Sequence, residues 1–261
     1  MSERNGTVQA VGKAVSILEH LACCGESGVS DLARAIGGQK STVFRLLATL
    51  KDTGYILQDP ETERYYLSLK LFRIGSGAIR RLDIDKAALT VVGRLAKMTS
   101  ETVHLCILDS DQVLYLHKIE STYSLKVAMA SRIGGLTPLY CTGVGKTLLA
   151  WQDDDYIRKY LRGADLVRHT ERTITDPMAL ASELQKIRLA GYAYDDEEHE
   201  LGVRCAAAPI FDMHGQIAAA LSVSGPSVRL TDRQMETFRE LVKDSAAEIS
   251  SRLGYDPVSG K

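Results

Sequence analysis

Five polar residues share one edge of the segment KSTVFRLLATLKDTG: Lys40, Ser41, Thr42, Arg45 and Thr49. Between them Val43, Leu46, Leu47 and Leu50 recur at i, i+3, i+4 and i+7, the spacing of a buried helical stripe. The segment is therefore predicted to be a helix whose opposite side carries the polar set. Such an edge suits nucleic acid. The first residues of a helix reach base edges, and its free amides and positive dipole end meet phosphate. Arg45 has the forked donors that match a guanine edge. Lys40, Ser41 and Thr42 suit phosphate oxygens. An ordinary solvated helix face carries the same residue types, so the neighbouring elements must decide between the two readings.

A second set suits a small acidic ligand. TGVGKTLLAW, from Thr142, starts a helix with Gly143 and Gly145 in its first turn, and bare amides there cradle a carboxylate. Asp195 ends one expected strand and Cys205 sits in the next. Ser222 and Ser224 lie two apart in a third, which puts both on one face. Asp195 can accept hydrogen bonds, and the serines can donate or accept. Plainer readings stay open. The serines alternate with Leu221 and Val223 as in any half-buried strand, Asp195 lies in the acidic run DDEEHE, Cys205 suits a core, and Met129, which on the neighbouring strand can line the same pocket, suits a core as well.

Other chemistries find little support. GVGKT resembles the end of a phosphate-binding loop, but the glycine required five residues before Gly145 is Tyr140. His20, His104, His117, His169, His199 and His214 form no recognised zinc spacing, and the five cysteines form no CxxC pair. No metal or other cofactor is expected on this basis. His199 and Cys205 lack an orienting partner or oxyanion motif, so no catalytic residue is assigned.

The polar edge needs a frame, and the sequence provides one. A helix is predicted over residues 8–24, with Val11, Val15, Leu18 and Ala22 as its stripe and Ala14, Ile17 and Leu21 widening it; Gly25 closes it. A short helix over 31–36, N-capped by Ser30, precedes a Gly37–Gly38 turn and the polar-edged helix, which Gly54 ends. YILQD and RYYLSL then read as a hairpin. Helix, helix, turn, helix and hairpin is the layout of a winged helix-turn-helix, assigned to residues 1–68. Arg64 lies in its wing, beside the acidic Asp59, Glu61 and Glu63.

A linker helix is expected over 69–82, with Leu69, Phe72, Ala78, Ile79 and Leu82 apolar, and residues 83–261 form the second domain. There a helix over Asp83–Thr99 precedes paired strands at Thr102–Asp109 and Gln112–Ile119 and a strand at 125–130. Helices over 142–151, 153–161 and 176–190 follow, then strands at 192–195, Val203–Phe211 and 216–224. The last helix opens on the capping pattern Thr231-Asp-Arg-Gln234. Antiparallel strands between helices give an α+β fold.

Bulk properties bound the answer. The chain has 261 residues, 45% of them hydrophobic, enough for two ordinary domains with real cores. No apolar run approaches the roughly 18 residues of a membrane span. The N-terminus shows no hydrophobic signal region, so a cytoplasmic location is expected. Residues 1–82 carry eleven Lys and Arg against eight Asp and Glu, and the remainder has a net charge of −4. That mild asymmetry permits DNA binding without requiring it.

The sequence resembles the isocitrate lyase regulator (IclR) family of bacterial transcription factors over nearly its whole length. The resemblance rests on KSTVFRLLATLKDTGY (40–55), PLYCTGVGKTLLAW (138–151), YDDEEHELGVRCAAAPIFD (194–212) and ALSVSGPSVRLT (220–231). YLHKIEST, SRIGGLTPLY and TERTITD are most similar to the branch that answers to 2-keto-3-deoxygluconate. The resemblance implies a winged-helix domain, a linker helix and a GAF/profilin-like effector domain. It implies a homodimer or homotetramer and, since the family holds both repressors and activators, a regulator of either sign, expected here to be a repressor of a sugar-acid catabolic operon acting at a palindromic operator. It also assigns effector contacts to the amides of Gly143 and Val144, with Thr142, Asp195, Cys205, Ser222 and Ser224 beside them. The acidic wing departs from the family pattern and leaves Arg64 as its one expected phosphate contact. The competing reading is a small-molecule enzyme of GAF-like fold with a fused helical domain.

Overall fold

The computed structural model describes residues 8–79, 83–124 and 131–256. The chain divides into two compact units, Met1–Leu82 and Asp83–Lys261. The strand expected at 125–130, Met129 within it, and residues 80–82 of the expected linker lie outside the described residues. Among the described residues no helix is long and apolar enough to cross a membrane.

In the first unit α1 (Gln9–Cys24), α2 (Val29–Ala35) and α3 (Lys40–Asp52) precede a two-stranded sheet of β1 (Ile56–Gln58) and β2 (Tyr65–Leu67). Val43, Leu47 and Leu50 of α3 are buried with Ile17, Leu21, Leu32 and Ile56 in one core, and Leu46 packs at its edge. The inward face of α1 differs from the expected stripe. It centres on Ile17 and Leu21, with Ala14 and Leu18 partly buried, while Val11, Val15 and Ala22 face outward. The broad apolar distribution admitted either centre, and contact with α3 selects one.

The capping of α2 is also corrected. Its N-cap is Gly28, in extended conformation, and Ser30 lies inside the helix. The reason is tertiary: Ser27 exchanges two backbone hydrogen bonds of 3.0 Å with Tyr65. That bridge keeps the chain extended up to Gly28, and the helix begins at Val29, two residues before the expected start. Next, α4 (Leu69–Ile79) continues the chain with Leu69, Phe72 and Ile74 exposed.

The second unit has a six-stranded antiparallel sheet, which with the helices around it makes the fold α+β. It is built from β3 (Thr102–Asp109), β4 (Gln112–Ile119), β5 (Leu136–Pro138), β6 (Ala193–Asp196), β7 (Val203–Phe211) and β8 (Ile217–Pro226). The spatial order is β5-β4-β3-β8-β7-β6. The sequence reading missed β5, a three-residue edge strand ending in proline. Pro tolerates an edge, where its missing N–H goes unused, but three residues show no alternation to read.

Helices α5 (Asp83–Thr99) and α9 (Asp232–Arg252) contact each other and one side of the sheet. Helix α6 (Gly143–Ala150) packs on β6, β7 and β8, with α8 (Pro177–Ala190) against α6 and α7 (Asp154–Gly163) against α8. Strand parity divides the core accordingly. Ala206 clusters with Leu230 and Met235 of the α9 side, whereas Cys205 and Ala207 join Val144, Leu148 and Leu184. All eight residues of α6 are buried, including Lys146. Full burial leaves no room for a side chain at Gly145: a Cβ there would run into the Leu139 carbonyl and lie 2.5 Å from Thr142 Oγ1.

Candidate functional site

In the first unit Lys40, Ser41, Thr42, Arg45 and Thr49 all face solvent along α3. The polar edge is therefore available, and the buried stripe behind it fixes its direction. Thr49 donates its hydroxyl to the Arg45 carbonyl at 3.1 Å, which leaves its methyl group as its outward contact. Phe44 lies on the same helix and is 59% exposed. The sequence reading did not single it out, although an aromatic off the apolar stripe was the available signal. Such a side chain can pack on a thymine methyl.

The wing has its own logic. Asp59 accepts hydrogen bonds from the backbone N–H groups of Thr62 (2.7 Å) and Glu61 (2.9 Å). These bonds, Thr62 first, hold its carboxyl below the usual carboxylate range. One of the acidic residues of the wing is thus a turn-former. Arg64 lies 3.5 Å from Asp31 of α2, and both are about half exposed. Its guanidinium is held toward the helical side of the unit.

In the second unit the sheet register builds a cavity against α6. Across the strands Asp195 pairs with Cys205, Cys205 with Ser224, and Ser224 with Thr102. One step along, Ala207 pairs with Ser222, and Ser222 with His104. Facing residues in such pairs stand about 5 Å apart, so residues distant in sequence become neighbours. Thr142, Gly143, Val144, Asp195, Cys205, Ser222 and Ser224 all line this small cavity of about 40 Å³. His104, Tyr115, Ser131, His199, Glu200 and Val203 complete the lining and were not foreseen. The signal for His104 was its place in TVHLCILD, in phase with Cys106, but only the pairing of β3 with β8 reveals what it faces.

The start of α6 leaves two amides unclaimed. Thr142 caps the helix, accepting from Gly145 N–H at 3.0 Å while donating to the Pro138 carbonyl at 3.2 Å. Lys146 N–H bonds the Thr142 carbonyl at 2.9 Å. The N–H groups of Gly143 and Val144 find no acceptor among the described residues, yet both residues line the cavity. A Cβ on Gly143 would lie 3.1 Å from Cys205 Sγ and 3.4 Å from the Ala207 Cβ, so glycine lets this helix end sit against β7.

Asp195 is buried rather than surface charge, and its Oδ1 accepts the Glu198 N–H at 2.8 Å. Burial pushes its carboxyl up to about 7, the backbone bond from Glu198 opposing. Near neutral pH it can therefore donate or accept. Burial likewise pushes the Cys205 thiol up to about 12, so it serves as a neutral, polarisable wall rather than a nucleophile. Lys146 is ion-paired with Glu198 in a buried contact.

His104 is held from both sides, Nε2 being 3.0 Å from Ser131 Oγ and Nδ1 3.4 Å from Ser222 Oγ. Burial first, and then the Lys118 charge, depress its pKa to about 3, with Glu120 opposing. The ring is neutral in the folded protein at any pH above that value. On unfolding it regains an ordinary pKa of about 6.5, so the unfolded chain binds the extra proton between these limits. Stability is expected to be full above pH 6.5 and to fall on acidification toward pH 3. The slope approaches about 1.4 kcal/mol per pH unit for this one group. Urea unfolding near neutrality and at about pH 5 should show a pH-dependent loss about 1.5–2 kcal/mol smaller in His104→Gln than in the parent chain. Equal losses in the two would show that His104 titrates normally when folded.

A winged helix-turn-helix unit, together with an α+β unit holding a polar cavity at a helix start, defines a DNA-binding transcription regulator governed by a small molecule. The chain belongs to the IclR family: the model of the IclR helix-turn-helix domain matches residues 10–60, and that of the bacterial transcriptional regulator IclR C-terminal domain matches residues 76–251. It is similar to the HTH-type transcriptional regulator KdgR of Escherichia coli K12, with 40% identity over 98% of this chain and 96% of that protein. The transcriptional repressor IclR of the same organism is 31% identical over 95% of this chain and 91% of its own. Among solved structures, the Thermotoga maritima IclR aligns with a TM-score of 0.80 and 35% identity, covering 95% of this chain and 99% of that one. The enzyme reading falls with this assignment, because the family consists of regulators.

Proposed function

We propose that the chain is a cytoplasmic repressor of a sugar-acid catabolic operon, controlled by a small carboxylate or keto acid such as 2-keto-3-deoxygluconate. Helix α3 enters the major groove of a palindromic operator, read by the two heads of a homodimer or by pairs of heads in a homotetramer. Arg45 reads a guanine edge, Lys40, Ser41 and Thr42 hold phosphate, Thr49 and Phe44 pack on the groove, and Arg64 touches the backbone from the wing. The effector carboxylate takes the free N–H groups of Gly143 and Val144. Its hydroxyl and keto oxygens meet Asp195, Ser222 and Ser224, with Cys205 beneath. Met129, on the neighbouring strand expected at 125–130, is assigned to the same pocket from its place in the sequence alone. Binding favours the state with lower operator affinity, by the difference in effector affinity between the two states.

The observation that carries this reading is the pair of acceptor-free amides at the start of a buried helix, opening on a cavity that also holds Asp195. Calorimetry of the full chain with 2-keto-3-deoxygluconate tests it. Asp195→Ala removes a buried hydrogen-bonding carboxyl, worth about 1.5–3 kcal/mol toward a polar ligand. Binding should weaken about 10- to 150-fold, and effector-induced release of operator DNA should shift to correspondingly higher concentration. Unchanged affinity in the variant would remove Asp195 from the ligand's surroundings.

A further inference from the structure

Beside the effector cavity, three residues from separate loops converge. Cys141, His169 and His199 each bring a ligand atom to within 4.8 Å of the other two. Cys141 precedes the α6 N-cap, His169 lies in the connection after α7, and His199 lies in the loop between β6 and β7. We propose that a zinc-class divalent cation binds here through the Cys141 thiolate and one ring nitrogen each of His169 and His199, with water as the fourth ligand.

The donor chemistry is selective. One thiolate and two imidazoles make a borderline-soft set that suits zinc and cobalt and disfavours calcium and magnesium, which require oxygen ligands. Zinc bonds of about 2.0–2.3 Å require the three donors to close in by roughly an ångström. His169 is the exposed member of the three, so its approach need not disturb the core. On binding, the thiol proton is released to solvent and the metal–sulfur bond forms, with no change in oxidation state.

The surroundings are arranged as a ligating histidine needs. Tyr140 donates its single hydroxyl proton to the Val167 carbonyl at 2.8 Å. Its oxygen, 3.1 Å from His169 Nε2, is therefore the acceptor there, and the Nε2–H form leaves Nδ1 with a free lone pair. Outer partners of this kind fix the tautomer of metal-bound histidines. The loops carrying the two histidines are also pinned together. Thr170 donates to the Glu197 carbonyl and Thr173 to the Glu198 carbonyl, both at 2.6 Å, and Arg172 reaches Asp196. The rings of His169 and His199 stand 5.1 Å apart between centroids. The separation of the ligands, 28 and 30 residues apart in sequence, is why spacing rules miss them.

The test uses the full chain, stripped with chelator and titrated with cobalt(II) in the absence of any effector, so its outcome is independent of the proposed function. One equivalent should bind, with a thiolate-to-cobalt charge-transfer band in the near ultraviolet that zinc abolishes. Cys141→Ser should lose that band, while Cys106→Ser, which removes a buried thiol of β3 outside the cluster, should keep it. His169→Ala, at an exposed position with little risk to folding, should weaken binding by about tenfold or more. Tyr140→Phe should weaken it about 10- to 100-fold, the usual cost of losing an outer-shell partner. Absence of a charge-transfer band at stoichiometric cobalt, its survival in Cys141→Ser, or undiminished affinity in His169→Ala would each overturn the proposal.

Discussion

Glu198→Ala is expected to lower the unfolding free energy by about 3–5 kcal/mol, the range for breaking a buried ion pair from one side. Lys146 is only 1% exposed and lies on a helix with no solvent-facing residue. Removing its partner leaves an ammonium group in the core without a counter-charge. The pair itself is not a strong net stabiliser. Burial pushes the Glu198 carboxyl up despite the neighbouring Lys146 charge, and Glu198 Oε2 has no hydrogen-bond partner among the described residues. The double variant Lys146→Met/Glu198→Leu should therefore recover most of the lost stability, since apolar replacement of such pairs is often neutral. Chemical denaturation of the parent, the single variant and the double variant decides it. A single variant within about 1 kcal/mol of the parent would mean that water reaches Lys146. The recovered double variant should still bind effector less tightly, because the pair ties α6 to the loop that supports Asp195.

Arg45→Ala should weaken operator binding by about 1–3 kcal/mol, or roughly 5- to 150-fold, and relax the preference at one base pair of each half-site. The side chain is exposed on the polar edge of α3, so folding should be unaffected. Lys40→Ala is the matched control. A phosphate contact carries no sequence information, so its loss should weaken all sequences alike and reduce the salt dependence by about one released counterion per site. Titration of operator and scrambled DNA at several salt concentrations separates the two behaviours. Unchanged retardation of operator by Arg45→Ala would mean that α3 reads DNA through other residues, with Phe44 and Thr42 the next to replace.

How much of this was legible beforehand depends on the range of the interactions involved. Helix α8 was readable almost completely: Asp176 caps it, accepting from Ala179 N–H at 2.7 Å, Pro177 opens it, and Gly191 ends it with a left-handed φ of 78°. All three signals are local. The boundaries of β3 and β4 were equally plain, because Ser110 and Asp111 both adopt positive φ in the turn between them. The start of α2 was not, since a backbone bridge to Tyr65, 38 residues away from Ser27, overrides the capping preference of Ser30. In the cavity, residues carried by motif or family resemblance were found, whereas His104, Tyr115 and His199 were not. Their roles arise from strand pairing and loop convergence, which leave no periodic trace in the chain.

The unclaimed amides of Gly143 and Val144 belong to a helix sunk wholly in the core, whereas the remaining cavity wall comes from alternate positions on neighbouring strands. These two parts face different constraints during divergence. A change at Gly143 or Gly145 disturbs the packing of the whole unit, but exchanges at 104, 222 or 224 retouch only the chamber's inner surface. On the proposed function, descendants of such a scaffold can thus acquire taste for new organic acids one strand residue at a time, while the proposed grip on the carboxylate is inherited intact.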